Sequence, residues 1–326
     1  MSPRRVLILH SDVAPDAPPD ELDTLYQAES IEAALKERGH AATCAAFVRD
    51  EARLARLIRS HAPEVIFNLV EAVDGSGKLA VGVPGMLARV GVPFTGADER
   101  ALTVAGDKPR TKAMLRDAGL PTSDWGEPPN FDGVGRDAIL IVKSALEDCS
   151  LGLDDASVVR GIDAARARAE SCAERYGGRW FAESYVEGRE FNIAVLQSPR
   201  GPCVLPLAEM TFQEWQSGRP RIVGYKAKWD DDSFESTRTV RGFGIEDENP
   251  VLAERLRELA AATWNLLALT GYARVDFRVN GKNEALILEI NPNPCLSPDA
   301  GFAAAAERTG ISYPELVERI VLAALS

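Results

Sequence analysis

The chain has 326 residues, 45% of them hydrophobic and 26% charged, the composition of an ordinary globular protein long enough to divide into two or three cores. Its net charge of -12, from 49 acidic and 37 basic residues, argues against a general nucleic-acid binder, whose face must be basic to displace counterions, although a few local cations suffice for one nucleotide. No apolar run approaches the ~20 residues of a bilayer span, and Val6–Leu9 behind Arg4 and Arg5 is too short for a signal-peptide core, so the sequence predicts a cytoplasmic chain with no membrane partner.

Strand and helix alternate at the start. Arg5–Leu9 is an apolar strand, and Leu25, Ala28, Ile31 and Leu35 recur at helical spacing up to Arg38, with Asp23 as the expected N-cap and Gly39 as the stop. Strands at Ala41–Val48 and Val65–Leu69 flank a helix from Asp50 to Ser60, the alternation of a parallel sheet with crossover helices. A charged, glycine-bearing loop (Glu71–Gly82) leads to a helix opened by Pro84 and ended near Gly91. Helices near Asp98–Ala105 and Lys108–Ala118, a linker at Pro128 and Pro129, the apolar strand Ala138–Lys143, a polar loop Ser144–Leu153, a helix near Asp163–Tyr176 and a strand Trp180–Val186 make a second region. The third opens with the strand Glu190–Leu196 and a long irregular stretch, Glu209–Gly244. A helix Pro250–Leu269, the hairpin strands Ala273–Val279 and Ala285–Ile290 around Asn280-Gly281-Lys282, and two closing helices complete it. The reading is three α/β lobes, over 1–97, 98–183 and 184–326.

The hairpin carries the strongest chemical signal. Residues two apart in a strand share a face, so Arg274 lies beside Asp276, and Glu289 beside Asn291 on the partner strand. Two carboxylates and an amide oxygen are hard donors that suit magnesium bridging nucleotide phosphates, and a neighbouring arginine would neutralise charge on a transferred phosphoryl group or an oxyanion. A carboxylate ending the otherwise apolar ALILEI is costly to desolvate without a partner, which favours a metal over an ordinary salt bridge. Lys143, emerging from a buried strand into a loop, either reaches phosphate or ends a strand in solvent. Glu183 and Glu190 flank a turn as acceptors for a base and a ribose, or as surface glutamates.

Other features carry less. Gly75-Ser76-Gly77-Lys78 resembles the tail of a P-loop, but Ala72 stands where the earlier glycine belongs and Leu79 replaces the Ser/Thr. His10, His40 and His61 are scattered and read as structural, and Asp230–Asp232 as a solvated loop. Cys44, Cys149, Cys172, Cys203 and Cys295 form no CxxC pair and read as reduced thiols.

Taken in order, VAGDKPRTK, ILIVK with its small-residue loop, FAESYVEGREFNIAVL, GYARVDF and LEINPNPCLSP resemble the ATP-grasp superfamily, and within it the D-alanine–D-alanine ligase branch, from about Val65 to the C-terminus. The resemblance implies a three-lobed ATP-grasp fold with an N-terminal parallel α/β domain and ATP between the last two lobes. It puts Lys108, Lys143 and Ser150 on the phosphates, Glu183 and Val186 at the adenine hinge, Glu190 on the ribose and Lys228 on the γ-phosphate. Asp276, Glu289 and Asn291 would hold two magnesium (or manganese) ions, and Arg274 would stabilise the oxyanion. The activity implied joins a small-molecule carboxylate to an amine through an acyl phosphate, with Ser144–Gly152 and Thr211–Arg241 as lids and a homodimer as the family's common assembly. Rival readings are a ligase of specialised metabolism and a regulatory ATP binder without turnover; the latter would be expected to have lost the metal ligands.

The departures concern substrate. The family's N-terminal glycine-rich segment is replaced by HSDVAPDAPPDELD, which leaves Glu71 to face the first substrate's ammonium or merely to cap a strand end. Cys149 stands where a lid serine is expected, Trp229 where its tyrosine partner is, and Cys295 where a glycine is. The serine that would take the second substrate's carboxylate falls near Ala300, with Asp299 beside it, so the resemblance leads us to expect an amine or a basic amino acid rather than plain D-alanine as acceptor.

Overall fold

In the computed structural model, which describes residues 2–14, 16–147 and 150–326 and only the backbone of Asp20, the N-terminal alternation builds a parallel sheet. Strands β1 (Arg5–His10), β2 (Ala41–Ala46) and β3 (Val65–Leu69) lie in the order β2-β1-β3, joined through helices α1 (Pro19–Glu37) and α2 (Glu51–His61). Asp50 caps α2 by accepting the Arg53 N–H at 2.7 Å. Helix α1 starts earlier than its apolar spacing suggested: Pro18 and Pro19 preset the first turn, so Asp23 is an interior residue of the helix and not its cap. His40 is buried, with its ring accepting the Arg4 N–H at 3.1 Å and facing Glu318 at 3.2 Å, a structural place.

The expected loop after β3 contains a short helix, α3 (Gly77–Ala80), before α4 (Val83–Val90); α5 (Glu99–Ala105) and α6 (Lys108–Asp117) follow, capped by Asp98 and Asp107. Next comes an antiparallel sheet of β4 (Trp125–Gly126), β5 (Ile139–Ser144), β6 (Val158–Arg160) and β7 (Trp180–Ser184), ordered β4-β7-β5-β6 and covered by α7 (Ile162–Tyr176). The largest sheet is built from β8 (Gly188–Ser198), β9 (Gly201–Val204), β10 (Ala208–Phe212), β11 (Thr239–Gly242), β12 (Tyr272–Asn280) and β13 (Ala285–Pro292). Its order is β11-β10-β8-β12-β13, with β9 also on β8.

The stretch 209–244, expected to be irregular, holds β10, β11 and two short helices, α8 (Tyr225–Trp229) and α9 (Phe234–Arg238). These pieces are four or five residues long, too short to show a period, and their strand character comes from the sheet they join. Strand β9 contains Pro202, which a strand tolerates at an edge, and its four residues are too few to show an alternation. Helices α10 (Ile245–Glu248), α11 (Pro250–Leu267), α12 (Gly301–Glu307) and α13 (Tyr313–Ala323) complete the chain.

Period-two alternation decides which side chains reach the cleft. Phe191, Ile193 and Val195 of β8, and Ala273, Val275, Phe277 and Val279 of β12, enter one core with Leu252, Leu256, Leu259 and Trp264 of α11. On the opposite face, Ala194, Leu196 and Tyr272 pack with α12, α13 and the N-terminal sheet, which closes one end of that face. The remaining residues there, Glu190, Asn192, Arg274, Asp276 and Arg278, line a cavity. Among the described residues no helix is long and apolar enough to cross a membrane.

Candidate active site

The β12–β13 register sets Asp276 opposite Glu289 and Arg274 opposite Asn291, so the four side chains selected from the sequence share one face. A bulge after Asp276 shifts the pairing so that Phe277 meets Ile287, leaving Leu288 as the extra residue. Leu288 and Glu289 consequently both line the cavity, which encloses about 810 Å³. Arg274 donates to both oxygens of Asp276, Nε to Oδ1 at 2.7 Å and Nη2 to Oδ2 at 2.9 Å, and Asn291 Nδ2 donates to Oδ2 at 3.0 Å. Burial pushes the Glu289 carboxyl up, but Lys108, Lys143, Lys228 and Arg274 outweigh it and hold it at about 2.

The lysines reach the same place from two other elements. Lys108 opens α6, and its Nζ stands 4.0 Å from Glu289 Oε2 while donating to the Glu147 carbonyl at 2.9 Å. Lys143, at the end of β5, meets Glu183 Oε1 at 2.7 Å. Glu183 also receives Lys112 Nζ at 2.6 Å and Ser123 Oγ at 2.6 Å, in a site where the Lys112 and Glu183 side chains are each 1% exposed. Desolvation opposes the ionised glutamate, yet the two ammonium groups hold it well below the usual carboxylate range; burial lowers Lys112, while for Lys143 the surrounding glutamates more than offset burial and raise it. Glu183 thus gives both carboxylate oxygens to protein donors, and its geometry is that of a group that fixes Lys143. Lys112 and Ser123 were not singled out from the sequence. The spacing of Lys108 and Lys112, four apart on one helix face, was the signal that could have found Lys112.

Glu190 is 8% exposed and pairs with Arg278 at 2.9 Å, a third residue that sequence reasoning missed although it continues the Arg274–Asp276 face. Burial raises the Glu190 carboxyl, with Arg278 pulling the other way. Val186, Ile141, Met210 and Leu288 add apolar walls to the cavity. Lys228 and Trp229 approach from α8, and Ser150 lines the cavity while donating to the Val223 carbonyl at 3.0 Å. The Trp229 Nε1–H is buried and has no partner among the described residues. Cys149 lies outside the described residues.

The other end is built by α1 and the loop after β13. Asp23 accepts from Ser297 Oγ at 2.8 Å, Cys295 Sγ at 3.2 Å and Gln27 Nε2 at 3.0 Å, and Gln27 also donates to Glu71 at 3.1 Å. Burial and the Asp23 charge push the Cys295 thiol up to about 12, so it is a neutral donor here. Asn293 anchors the loop by accepting the Ala97 N–H at 2.9 Å, and only glycine fits opposite it: a Cβ on Gly96 (φ +91°) would fall 2.2 Å from the Asn293 oxygen. Glu71, Asp299 and Arg241 also line this end.

A family model described as the D-ala D-ala ligase C-terminus matches residues 139–322. The D-alanine–D-alanine ligase of Desulforudis audaxviator is 32% identical over 306 residues, covering 91% of this chain and 92% of its own. That of Moorella thermoacetica is 30% identical over 314 residues, covering 93% and 94%. The fold is shared with the Bacillus anthracis D-alanine–D-alanine ligase solved in complex with ATP, at a TM-score of 0.75 and 19% identity, over 100% of this chain and 98% of the other. Because the family model spans more than half of the chain and relatives align along nine-tenths of it, the chain belongs to the D-alanine–D-alanine ligase family.

Proposed function

We propose that the chain is an ADP-forming carboxylate–amine ligase that binds ATP in the charged half of the cavity and joins two small molecules in the other half. The observation that carries this reading is the convergence of Asp276, Glu289 and Asn291 with Lys108, Lys143 and Lys228 on one cavity from five separate elements, β12, β13, α6, β5 and α8. Cations so placed suit a triphosphate, Glu190 offers an acceptor for a ribose hydroxyl, and the apolar wall of Ile141, Met210 and Leu288 suits a base. Glu183 supports the base site by fixing Lys143.

The donor set fits magnesium, or manganese. Two carboxylates and an amide oxygen are hard ligands, and among the described residues no group of three or more His, Cys, Asp or Glu forms a metal cage of its own. A site of this kind relies on phosphate oxygens to complete the shell, as magnesium sites do. When bound, the metal would supply charge neutralisation at the phosphates, and Asp276, Glu289 and Asn291 would hold it.

The chain's own groups do the rest. Lys108 and Lys143 orient the phosphates, and Lys228 follows the γ-phosphate as it transfers to the acid substrate's carboxylate. Arg274, held bidentately by Asp276, faces the oxyanion that forms when the amine attacks the acyl phosphate; phosphate then leaves. Acyl phosphates hydrolyse readily, and the segments 144–147, 150–152 and 211–240 would serve as lids that exclude water. The test is ADP release across paired L- and D-amino acids and amines. The reading expects release that needs both partners and magnesium; release with neither partner, or with none of the pairs, would count against it.

A further inference from the structure

Arg241 is the feature of the cavity that the reaction as read above does not use. It lies on β11 directly opposite Met210, whose side chain also lines the cavity, and it is half-buried. Its one hydrogen bond among the described residues is from Nη1 to the Asp299 backbone carbonyl at 3.3 Å, and no described carboxylate lies within ion-pair distance. A guanidinium carries five donors in a fixed fork. Removing such a group partly from water without an anionic partner is costly, and Arg274 nearby adds like-charge repulsion. Gly301 permits the placement: a Cβ there would stand 3.3 Å from Arg241 Nε, so any larger residue would crowd the guanidinium.

We infer that Arg241 binds the carboxylate of the amine substrate and sets the preference for a free acid over its carboxamide. The inference rests on the ligase reading and names the group that serves where the sequence offers Ala300 in place of a serine. Asp299 alone would turn a carboxylate away; Arg241, bonded to its backbone, supplies the compensating charge. The fork matches a carboxylate bidentately, an arrangement lysine does not reproduce.

The experiment compares each acceptor as the free acid and as its carboxamide, by ADP release, in the wild type, Arg241→Gln and Arg241→Lys. A charge-assisted pair of this kind is worth about tenfold to a hundredfold in affinity. The wild type is expected to favour the free acid at least tenfold in kcat/KM, through KM more than kcat. Arg241→Gln should erase that preference while leaving the KM for ATP and the melting temperature near the wild-type values, and Arg241→Lys should restore part of it. Equal use of acid and carboxamide by the wild type, or an unchanged preference in Arg241→Gln, would overturn the assignment and leave the ligase reading standing. Absence of ADP release with every pair, from a protein that still binds Mg–ATP, would remove the ligase reading and this inference together.

Discussion

The two ends of the cavity hold their charges in different ways. At the end proposed for the nucleotide, ionised side chains meet each other directly: Arg274 with Asp276, Arg278 with Glu190, Lys143 and Lys112 with Glu183. At the substrate end Asp23 takes neutral donors, from a serine, a thiol and an amide, and Arg241 has only a backbone carbonyl. A preformed lattice of pairs can receive the same triphosphate each time without rearranging. An end with unspent charge selects among ligands, because each one leaves a different group unmatched. On the proposed reading, reaction type resides in the first arrangement and substrate choice in the second.

The largest effect should come from breaking the nucleotide end. Asp276→Asn or Glu289→Gln should lower ADP-forming turnover by about a thousandfold, the scale of removing a principal electrostatic contributor, with folding retained by circular dichroism. A fall of less than tenfold would mean that the hairpin face does not hold the metal.

Glu183→Gln comes next. It leaves Lys112, whose side chain is 1% exposed, without its ionic partner, and chemical denaturation should show a loss of about 3–5 kcal/mol. The same variant with unchanged stability would show that the lysines are not charged in the folded protein.

A pH profile sharpens the contrast. The Glu289 carboxyl is held at about 2 in the folded chain against an ordinary 4.5, so its charge stabilises the fold above 4.5, and that contribution drains away as pH falls toward 2. Nucleotide-free wild type should therefore lose about 1–3 kcal/mol relative to Glu289→Gln across that window. Parallel curves for the two proteins would contradict the assigned surroundings of Glu289.

The smallest effect belongs to the substrate end. Asp23→Asn weakens the bonds that hold the Cys295–Ser297 loop, and should raise the KM for the amino acid substrates about tenfold with little change in the KM for ATP. Equal changes in both constants would mean that the two ends are not separable.

This division also explains what could be read from the chain. The hairpin face was legible because alternation in β12, and in β13 beyond its bulge at Leu288, puts Arg274, Asp276, Glu289 and Asn291 together without any tertiary knowledge. Lys112 was not, since a lysine inside an amphipathic helix looks like surface until Glu183 arrives from a different sheet. Asp23 looked like a cap because helix starts are judged from nearby apolar spacing, while the Pro18-Pro19 start lies beyond that pattern. Arg241 was hidden in a stretch read as irregular, where strand β11 exists only by pairing with β10. Residues that one hairpin brings together, such as Asp276 and Glu289, can be seen in the sequence; Glu190 and Arg278, joined by strands far apart in the chain, and pairs formed across lobes cannot.

The most direct measurement is isothermal titration of nucleotide-free protein with Mg–ATP, repeated with Asp276→Asn and with magnesium withheld. Saturable binding at one site per chain, strongly weakened by the substitution and by loss of the metal, is the predicted result. Absence of binding in the wild type, or equal binding in all three, would contradict the claim that these side chains surround a metal–triphosphate site.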